Sequence, residues 1–228
     1  MQSIMMLLSI FAIIREKRFV WKMIKVKNKA ATFFAISIIG FIIFILYWGL
    51  SKPVTVVIQA GHEGRTKGNT GASSTLYREE KWNIAVADEI TKTLRSWDIE
   101  VKRIPARVKR MKADIAVSIH FDGAKIPCRS GASIGYPDKH SYFFAQRWKK
   151  LYKSYFPFKW HKDNFTPGLK YYYAYDWIKA KKFLLLELGE ITCDAQTTWL
   201  KPRLNKIAHL VAYVIAKELG KKVKKPTL

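Results

Sequence analysis

The sequence predicts an α/β domain with a mixed, mostly parallel β-sheet flanked by helices, preceded by one transmembrane helix. Short apolar, β-branched runs alternate with longer segments in which apolar residues recur at helical spacing, as in layered α/β domains. Residues 30–50 carry no charge and are long enough to cross a membrane. Hydrophobic residues make up 49% of the 228 residues and aromatic residues 14%, which is enough to build a core and excludes an intrinsically disordered chain.

The N-terminal part of the chain predicts a membrane anchor. Residues 30–50 would form a helix of roughly 30 Å, about the thickness of the hydrocarbon core of a bilayer. The preceding residues 15–29 carry seven basic residues and one acidic residue, so the positive-inside rule places residues 1–29 in the cytoplasm and the rest of the chain outside. We favour an uncleaved anchor because no small-residue cleavage site follows the apolar run. Two questions remain open: whether the anchor is cleaved, and whether the chain starts at Met1 or at Met23.

Strands and helices follow one another along the exported part of the chain. Apolar or alternating runs predict strands, and apolar residues at a spacing of three or four predict helices. The predicted strands cover residues 54–58, 100–104, 114–120, 131–136 and 183–189. The predicted helices cover residues 79–97 and 138–155, and a last helix begins at Pro202 and ends at Gly220.

The net charge of +24 indicates anionic surroundings and argues against an ordinary neutral cytosolic enzyme. Nucleic acid, a membrane surface and an acidic polymer such as cell wall all fit this charge. The first 50 residues explain only a small part of it, because 34 basic and 16 acidic residues lie beyond them and leave +18 for the exported domain. Export of this domain disfavours nucleic acid as the partner.

Four ionisable residues occupy positions where α/β domains assemble functional sites. His62 follows the first strand and His120 ends the strand 114–120, so both are expected at one edge of the sheet. Glu187 lies inside an apolar strand, where an unpaired carboxylate is costly to bury unless it binds a metal or acts in catalysis. Glu79 begins the first helix and can reach the two histidines.

These residue types indicate a zinc hydrolase. Two histidines and one glutamate, here His62, His120 and Glu79, with an open fourth position form a catalytic rather than a structural zinc set. Glu187 is then placed to accept a proton from water and pass it to a leaving amine. The expected reaction is hydrolysis of an amide. Each residue taken singly also has a structural interpretation, since a histidine at a strand end often serves packing and Glu187 can pair with a lysine or arginine.

Four motifs along the chain carry a resemblance to a known family. They are IQAGHEG at 58–64, EEKWNIAVA at 79–87, ADIAVSIHFD at 113–122 and ELGEITC at 187–193. In this order, and followed by a C-terminal helix, they resemble the zinc-dependent N-acetylmuramoyl-L-alanine amidases of the amidase 3 type over about residues 54–219. The chain departs from the family pattern at Gln59, where the family has Asp, at Glu63, Glu190 and Cys193, and in a shorter segment between residues 103 and 113.

The resemblance implies the roles of the site residues. His62, Glu79 and His120 correspond to the metal ligands of the family, and Glu187 corresponds to its catalytic base. Glu80 is the alternative to Glu79 as the second ligand. The implied cofactor is Zn²⁺, and the implied reaction cuts the amide bond between N-acetylmuramic acid and L-alanine of peptidoglycan stem peptides, in cell-wall remodelling or lysis.

Together with the predicted anchor, the resemblance gives an expected organisation for the whole chain. The protein would be a single-pass enzyme of the cytoplasmic membrane, with its catalytic domain in the periplasm or on the cell-wall side, with peptidoglycan as substrate and no nucleic-acid partner. Whether an activator protein exists stays open. The expected parts are a basic cytoplasmic segment (1–29), an anchor (30–50), an amidase catalytic domain (51–220) and a basic tail (221–228). The alternative is an inactive, membrane-anchored module that binds cell wall or another anionic polymer.

Two further features belong to the exported domain. Cys128 follows His120 by eight residues and Cys193 follows Glu187 by six, so the two cysteines can form a disulfide if both strands end at one site. An exported domain meets the oxidising conditions that such a bond requires. An aromatic and basic stretch precedes the last strand, and within it His161 is a candidate for substrate contact.

Overall fold

The computed structural model describes residues 33–34, 36–43 and 54–227. The chain divides into two compact units, with the boundary between residues 52 and 53. In the first unit the described residues are helical. Within the described residues, no helix is both long and apolar enough to span a bilayer. The predicted segment 1–29 and most of the predicted anchor 30–50 lie outside the described residues.

Among residues 54–227, one five-stranded sheet forms the centre of the fold. Its strands are β1 (Val54–Ala60), β2 (Val101–Ile104), β3 (Met111–Asp122), β4 (Ser133–Gly135) and β5 (Ile178–Glu190). Their order across the sheet is β2-β1-β3-β5-β4, with β4 antiparallel to β5 and the other pairings parallel. This confirms the predicted mixed, mostly parallel sheet. It also explains the apolar composition of β1, β3 and β5, because central parallel strands are covered on both faces.

Helices pack against this sheet and complete the α/β architecture. In the described domain they are α1 (Glu79–Ser96), α2 (Lys139–Lys153), α3 (Pro167–Lys170), α4 (Ala174–Trp177), α5 (Asp194–Leu200) and α6 (Leu204–Glu218). In the larger apolar core, α1 buries Val86, Ile90 and Leu94, which are four residues apart and therefore share one face. A smaller core contains Val57 and Phe183 together with residues of α4.

Several elements differ from the sequence-based predictions: β3 begins at Met111 rather than at residue 114, and the short helices α3 and α4 were not predicted. The predicted start of the last strand at residue 183 was wrong, because β5 begins at Ile178. The side chains of Lys179 and Lys181 are exposed, so this part of the strand lacks an apolar pattern. Helix α5 was not predicted, since two of its buried residues, Gln196 and Thr197, are polar.

A disulfide joins Cys128 to Cys193, a pairing that the sequence analysis left as a possibility. It connects the loop after β3 to the residue that precedes α5, and the two Cα atoms lie 4.6 Å apart. The backbone N–H groups of Cys128 and Ser130 also donate hydrogen bonds, of 2.8 and 2.6 Å, to the buried carboxylate of Glu190. Cys193 and Glu190, both departures from the family pattern, therefore fix the same loop to the end of β5.

Removal of this disulfide is expected to destabilise the domain. The bond closes a loop of 65 residues, and the chain-entropy model gives about 4 kcal/mol for a loop of this size. Guanidinium unfolding of the Cys128→Ser/Cys193→Ser protein should therefore give a lower free energy of unfolding than the oxidised wild type. Reduced wild type is the matched control and should unfold like the double variant. Equal unfolding midpoints for all three samples would contradict the prediction.

Candidate active site

The four predicted site residues meet at the edge of the sheet where the parallel strands end. His62 lies just after β1 and adopts a positive φ of 63°, which turns the chain sharply at the strand end. His120 lies near the end of β3, and the strand register pairs it with Glu187 on β5. Glu79 is the first residue of α1. Their convergence follows from parallel pairing, because the carboxyl ends of neighbouring strands share one edge.

Three of these residues form a compact and buried cluster. The Oε1 atom of Glu79 lies 3.2 Å from Nε2 of His62 and 3.1 Å from Nδ1 of His120. One nitrogen or oxygen from each of the three side chains falls within 4.8 Å of the others, an arrangement that could hold a metal ion. All three residues are less than 10% exposed, at 7%, 3% and 6% for His62, Glu79 and His120. Two imidazoles and a carboxylate are a donor set that suits zinc.

Glu80, the alternative ligand in the sequence analysis, points elsewhere. Its Oε1 atom accepts a hydrogen bond of 3.2 Å from the backbone N–H of Gly64, and its Oε2 atom lies 3.9 Å from the guanidinium of Arg78. Among the described residues, the group of His and acidic side chains able to hold a metal contains Glu79 and not Glu80. The geometry therefore favours Glu79 at this position.

Hydrogen bonds from the surrounding loops orient the cluster. Nδ1 of His62 lies 3.0 Å from the backbone oxygen of Asn69, so an N–H at Nδ1 leaves Nε2 directed at Glu79. Oε2 of Glu79 accepts a hydrogen bond of 2.7 Å from the backbone N–H of Ala72. The amide of Asn83 donates to Oε1 of Glu79 at 3.2 Å and to the carbonyl of Gly61 at 2.9 Å. Such partners fix the direction of metal-binding side chains.

The electrostatics of the cluster favour binding of a cation. Burial lowers the pKa of His62, but the hydrogen bond and negative charge of Glu79 outweigh burial and leave that pKa above its usual value. Burial also lowers the pKa of His120, and here it dominates. Burial raises the pKa of Glu79, but the two histidines hold it well below its usual range. A cation at this point would therefore meet an ionised carboxylate.

Glu187 has no such partner. Its Oε2 atom is buried and accepts or donates no hydrogen bond among the described residues. Burial raises the pKa of Glu187 well above its usual value, and the nearby charges of Glu79 and Asp122 raise it further. A carboxyl group whose pKa is shifted upwards in a cleft is suited to accept and return a proton near neutral pH.

Two cavities meet at Glu187. One, of about 320 Å³, is lined by residues that include His62, His120, Arg65 and Glu187. The other, of about 340 Å³, is lined by residues that include Arg129, His161 and Glu187. His161, the predicted candidate for substrate contact, stacks on the ring of Phe165 at 4.1 Å and lies in the second cavity. A substrate that occupies both cavities would place its middle beside Glu187.

Sequence reasoning missed the groups that support the cluster from the loops. Tyr172 places its hydroxyl oxygen 3.0 Å from Nε2 of His120, and the backbone oxygen of Asn69 lies 3.0 Å from Nδ1 of His62. Neither lies in one of the four motifs. The only signal for Tyr172 was its place in the aromatic and basic stretch, which pointed to no single residue.

A methyl group at Gly61 is expected to disrupt the cluster. A Cβ at this position would collide with the imidazole of His120, which is itself packed against Glu79. Gly61→Ala should therefore weaken binding of Zn²⁺ by at least about tenfold, since misdirected ligands bind metal poorly. Competition with a chelating dye measures this affinity. Gly168→Ala is the matched control because Gly168 lines the same cavity and its added Cβ meets only Thr166 Oγ1, at 3.8 Å. Equal affinities for the two variants would contradict the expectation.

Comparison with known proteins agrees with the geometry. The sequence profile of the Amidase_3 family, described as N-acetylmuramoyl-L-alanine amidase, matches residues 56–217. A probable N-acetylmuramoyl-L-alanine amidase, AmiB of Haemophilus influenzae, is 29% identical over 122 residues, which cover 47% of this chain and 26% of that protein. The chain thus spans about a quarter of the length of this curated relative.

Solved structures share the fold. The catalytic domain of CwlV, an N-acetylmuramoyl-L-alanine amidase of Bacillus (Paenibacillus) polymyxa var. colistinus, superposes with a TM-score of 0.58 at 20% identity, covering 74% of this chain and 99% of that one. An N-acetylmuramoyl-L-alanine amidase of Clostridium difficile 630 gives a TM-score of 0.56 at 20% identity, covering 76% and 100%. With the profile match over most of the chain, we conclude that the chain belongs to the Amidase_3 family of N-acetylmuramoyl-L-alanine amidases.

Proposed function

We propose that the protein is a zinc-dependent hydrolase that cuts the amide bond between N-acetylmuramic acid and L-alanine in peptidoglycan stem peptides. The observation that carries this proposal is the carboxylate of Glu187, whose buried Oε2 atom has no hydrogen-bond partner among the described residues, beside the buried cluster of His62, Glu79 and His120. A carboxylate without a cation or hydrogen-bond donor is costly to bury, and a catalytic role explains why it is kept. Membership of the amidase family supports the choice of substrate.

His62, Glu79 and His120 would hold the zinc ion through the three atoms that converge in the cluster. A zinc ion in such a site makes water easier to deprotonate and polarises the carbonyl of the scissile bond. The neighbouring backbone N–H of Ala72 and the amide of Asn83 keep the carboxylate of Glu79 in place. The chain itself therefore supplies a preorganised set of donors.

Glu187 would transfer the proton in this reaction. Its raised pKa lets the carboxylate take a proton from the attacking water and then give that proton to the nitrogen of the leaving alanine. The nitrogen departs as a neutral amine, so the proton that leaves the water ends on the peptide. The two cavities on either side of Glu187 provide room for the parts of the substrate that flank the amide bond.

We further propose that the domain acts outside the cytoplasm, held by the anchor predicted over residues 30–50. The uncharged run and the basic residues before it support this location. The disulfide between Cys128 and Cys193 gives independent support, because such bonds persist in oxidising compartments. The net +18 of the exported domain suits an anionic wall.

Digestion of purified peptidoglycan tests the proposed reaction. Mass spectrometry of the products should find intact stem peptides with a free L-alanine amino terminus and glycan strands that keep N-acetylmuramic acid with a free lactyl carboxyl group. Products cleaved within the peptide or between sugars would show that the enzyme cuts a bond other than the proposed one. Binding to peptidoglycan with no product at any zinc concentration would favour the non-catalytic wall-binding module.

A further inference from the structure

A polar chain runs away from the side of His120 that does not face Glu79. Nε2 of His120 lies 3.0 Å from the hydroxyl oxygen of Tyr172, and that hydroxyl donates to Oε1 of Gln59 at 2.9 Å. The hydroxyl of Ser118 donates to the same Oε1 atom. Gln59 and Ser118 are fully buried, so these groups satisfy one another rather than water.

The orientation of the Gln59 amide sets the direction of the hydrogen bonds in this polar chain of side chains. Its Nε2 atom faces the hydroxyl oxygen of Tyr173 at 2.9 Å and the backbone oxygen of Ala106 at 3.4 Å. The carbonyl of Ala106 can only accept, and it also receives the hydroxyl proton of Tyr173. The NH₂ group must therefore lie on this side, which leaves Oε1 to accept from Tyr172 and Ser118.

This direction determines where His120 carries its proton. The hydroxyl proton of Tyr172 is used in the bond to Gln59, so the oxygen of Tyr172 is left to accept from Nε2–H of His120. Nδ1 of His120 is then the unprotonated nitrogen, and it faces Oε1 of Glu79 at 3.1 Å, so a cation between these two atoms would satisfy both lone pairs. A neutral imidazole binds a metal through the nitrogen that lacks a proton, and the bond made by the other nitrogen selects it.

We propose that Tyr172 and Gln59 are positioning residues that hold His120 in the Nε2–H form and present Nδ1 to the metal. Glutamine serves this role where the family has aspartate, because its amide can accept from Tyr172 while it donates to Tyr173. An aspartate carboxylate at position 59 could accept hydrogen bonds from the hydroxyl groups of Tyr172 and Ser118. It has no N–H group to donate to the hydroxyl of Tyr173 or to the carbonyl of Ala106. The proposal rests on the metal site of the proposed function, although not on the reaction that the site carries out.

The substitution Tyr172→Phe tests the proposal because it removes one oxygen and keeps the ring. We expect the dissociation constant of Zn²⁺, measured on the full-length protein by competition with a chelating dye, to rise by about 10- to 100-fold. Tyr175→Phe is the matched control. Its hydroxyl, on the same segment, donates to the backbone oxygen of Leu169 at 3.0 Å and makes no bond to His120, so its zinc affinity should stay within twofold of wild type.

A spectroscopic readout separates positioning from a general loss of structure. In ¹⁵N NMR of the zinc-loaded protein labelled at histidine, we expect His120 to bind zinc through Nδ1 and to be protonated at Nε2 in wild type and in Tyr175→Phe. In zinc-loaded Tyr172→Phe, we expect the Nε2–H signal of His120 to shift, because that proton loses its acceptor. An unchanged zinc affinity in Tyr172→Phe, or a wild-type His120 that binds zinc through Nε2, would overturn the proposal. A wild-type protein that binds zinc as expected but releases no stem peptide would remove the proposed function and leave this inference standing.

Discussion

Glutamine in place of Glu187 is expected to slow stem-peptide release by about 10²- to 10⁴-fold, the range contributed by a positioned acid or base. The change keeps the shape of the side chain and removes the group that takes up the proton. Its Oε2 atom has no hydrogen-bond partner among the described residues, so the substitution breaks no bond there. Burial, Glu79 and Asp122 all oppose ionisation of Glu187, so the neutral glutamine should leave the fold at least as stable.

Two measurements on the same preparation make this prediction specific. Product release is followed by mass spectrometry, and zinc content by elemental analysis. Zinc content should match that of wild type, because Glu187 is outside the three-residue cluster. Glu100→Gln, which changes an exposed carboxylate just before β2, is the control and should be as active as wild type. A variant at Glu187 that keeps nearly full activity would exclude it as the base, and one that also loses zinc would make its role structural.

Glutamine in place of Glu79 is expected to abolish both metal binding and activity. The substitution removes the negative charge that lies against both His62 and His120. Changes to groups that merely support ligands cost 10- to 100-fold in metal affinity, so loss of a ligand should cost more than about a hundredfold. Isothermal titration of the metal-free protein with Zn²⁺ measures the affinity, and peptidoglycan digestion at micromolar zinc measures the activity.

The neighbouring residue provides a matched control for this prediction. Glu80→Gln alters the same residue type one position along α1, but its carboxylate faces Gly64 and Arg78 rather than the histidines. We expect Glu80→Gln to bind zinc with the affinity of wild type. If Glu80→Gln lost zinc and Glu79→Gln retained it, the ligand assignment along this helix would be reversed.

The parts of the fold that could be predicted from sequence are those in which burial leaves a regular pattern. β1 and the centres of β3 and β5 lie between layers, so their residues are mostly apolar and stand out. The start of β5 could not be predicted, because Lys179 and Lys181 face solvent and resemble a loop. The membrane anchor stays a prediction, since residues 30–50 lie mostly outside the described part of the chain.

The candidate site also has a part that could be predicted from the strands and a part that could not. His62, His120 and Glu187 lie on or just after strands, so the topology alone brings them to one edge of the sheet. The side chain of Tyr172 reaches His120 from the short segment between α3 and α4, and the backbone oxygen of Asn69 reaches His62 from a loop. The directions of such groups depend on how the loops pack, and no spacing along the sequence records this. The disulfide was predictable because both cysteines follow the strands that carry site residues.

The most direct test of the central claim is a metal-dependence measurement on the full-length protein with peptidoglycan as substrate. The account predicts about one zinc ion per chain, loss of stem-peptide release after chelation, and recovery of release when zinc is returned to the metal-free protein. A folded protein that contains no zinc, takes up none, or releases stem peptides equally well after chelation would contradict it.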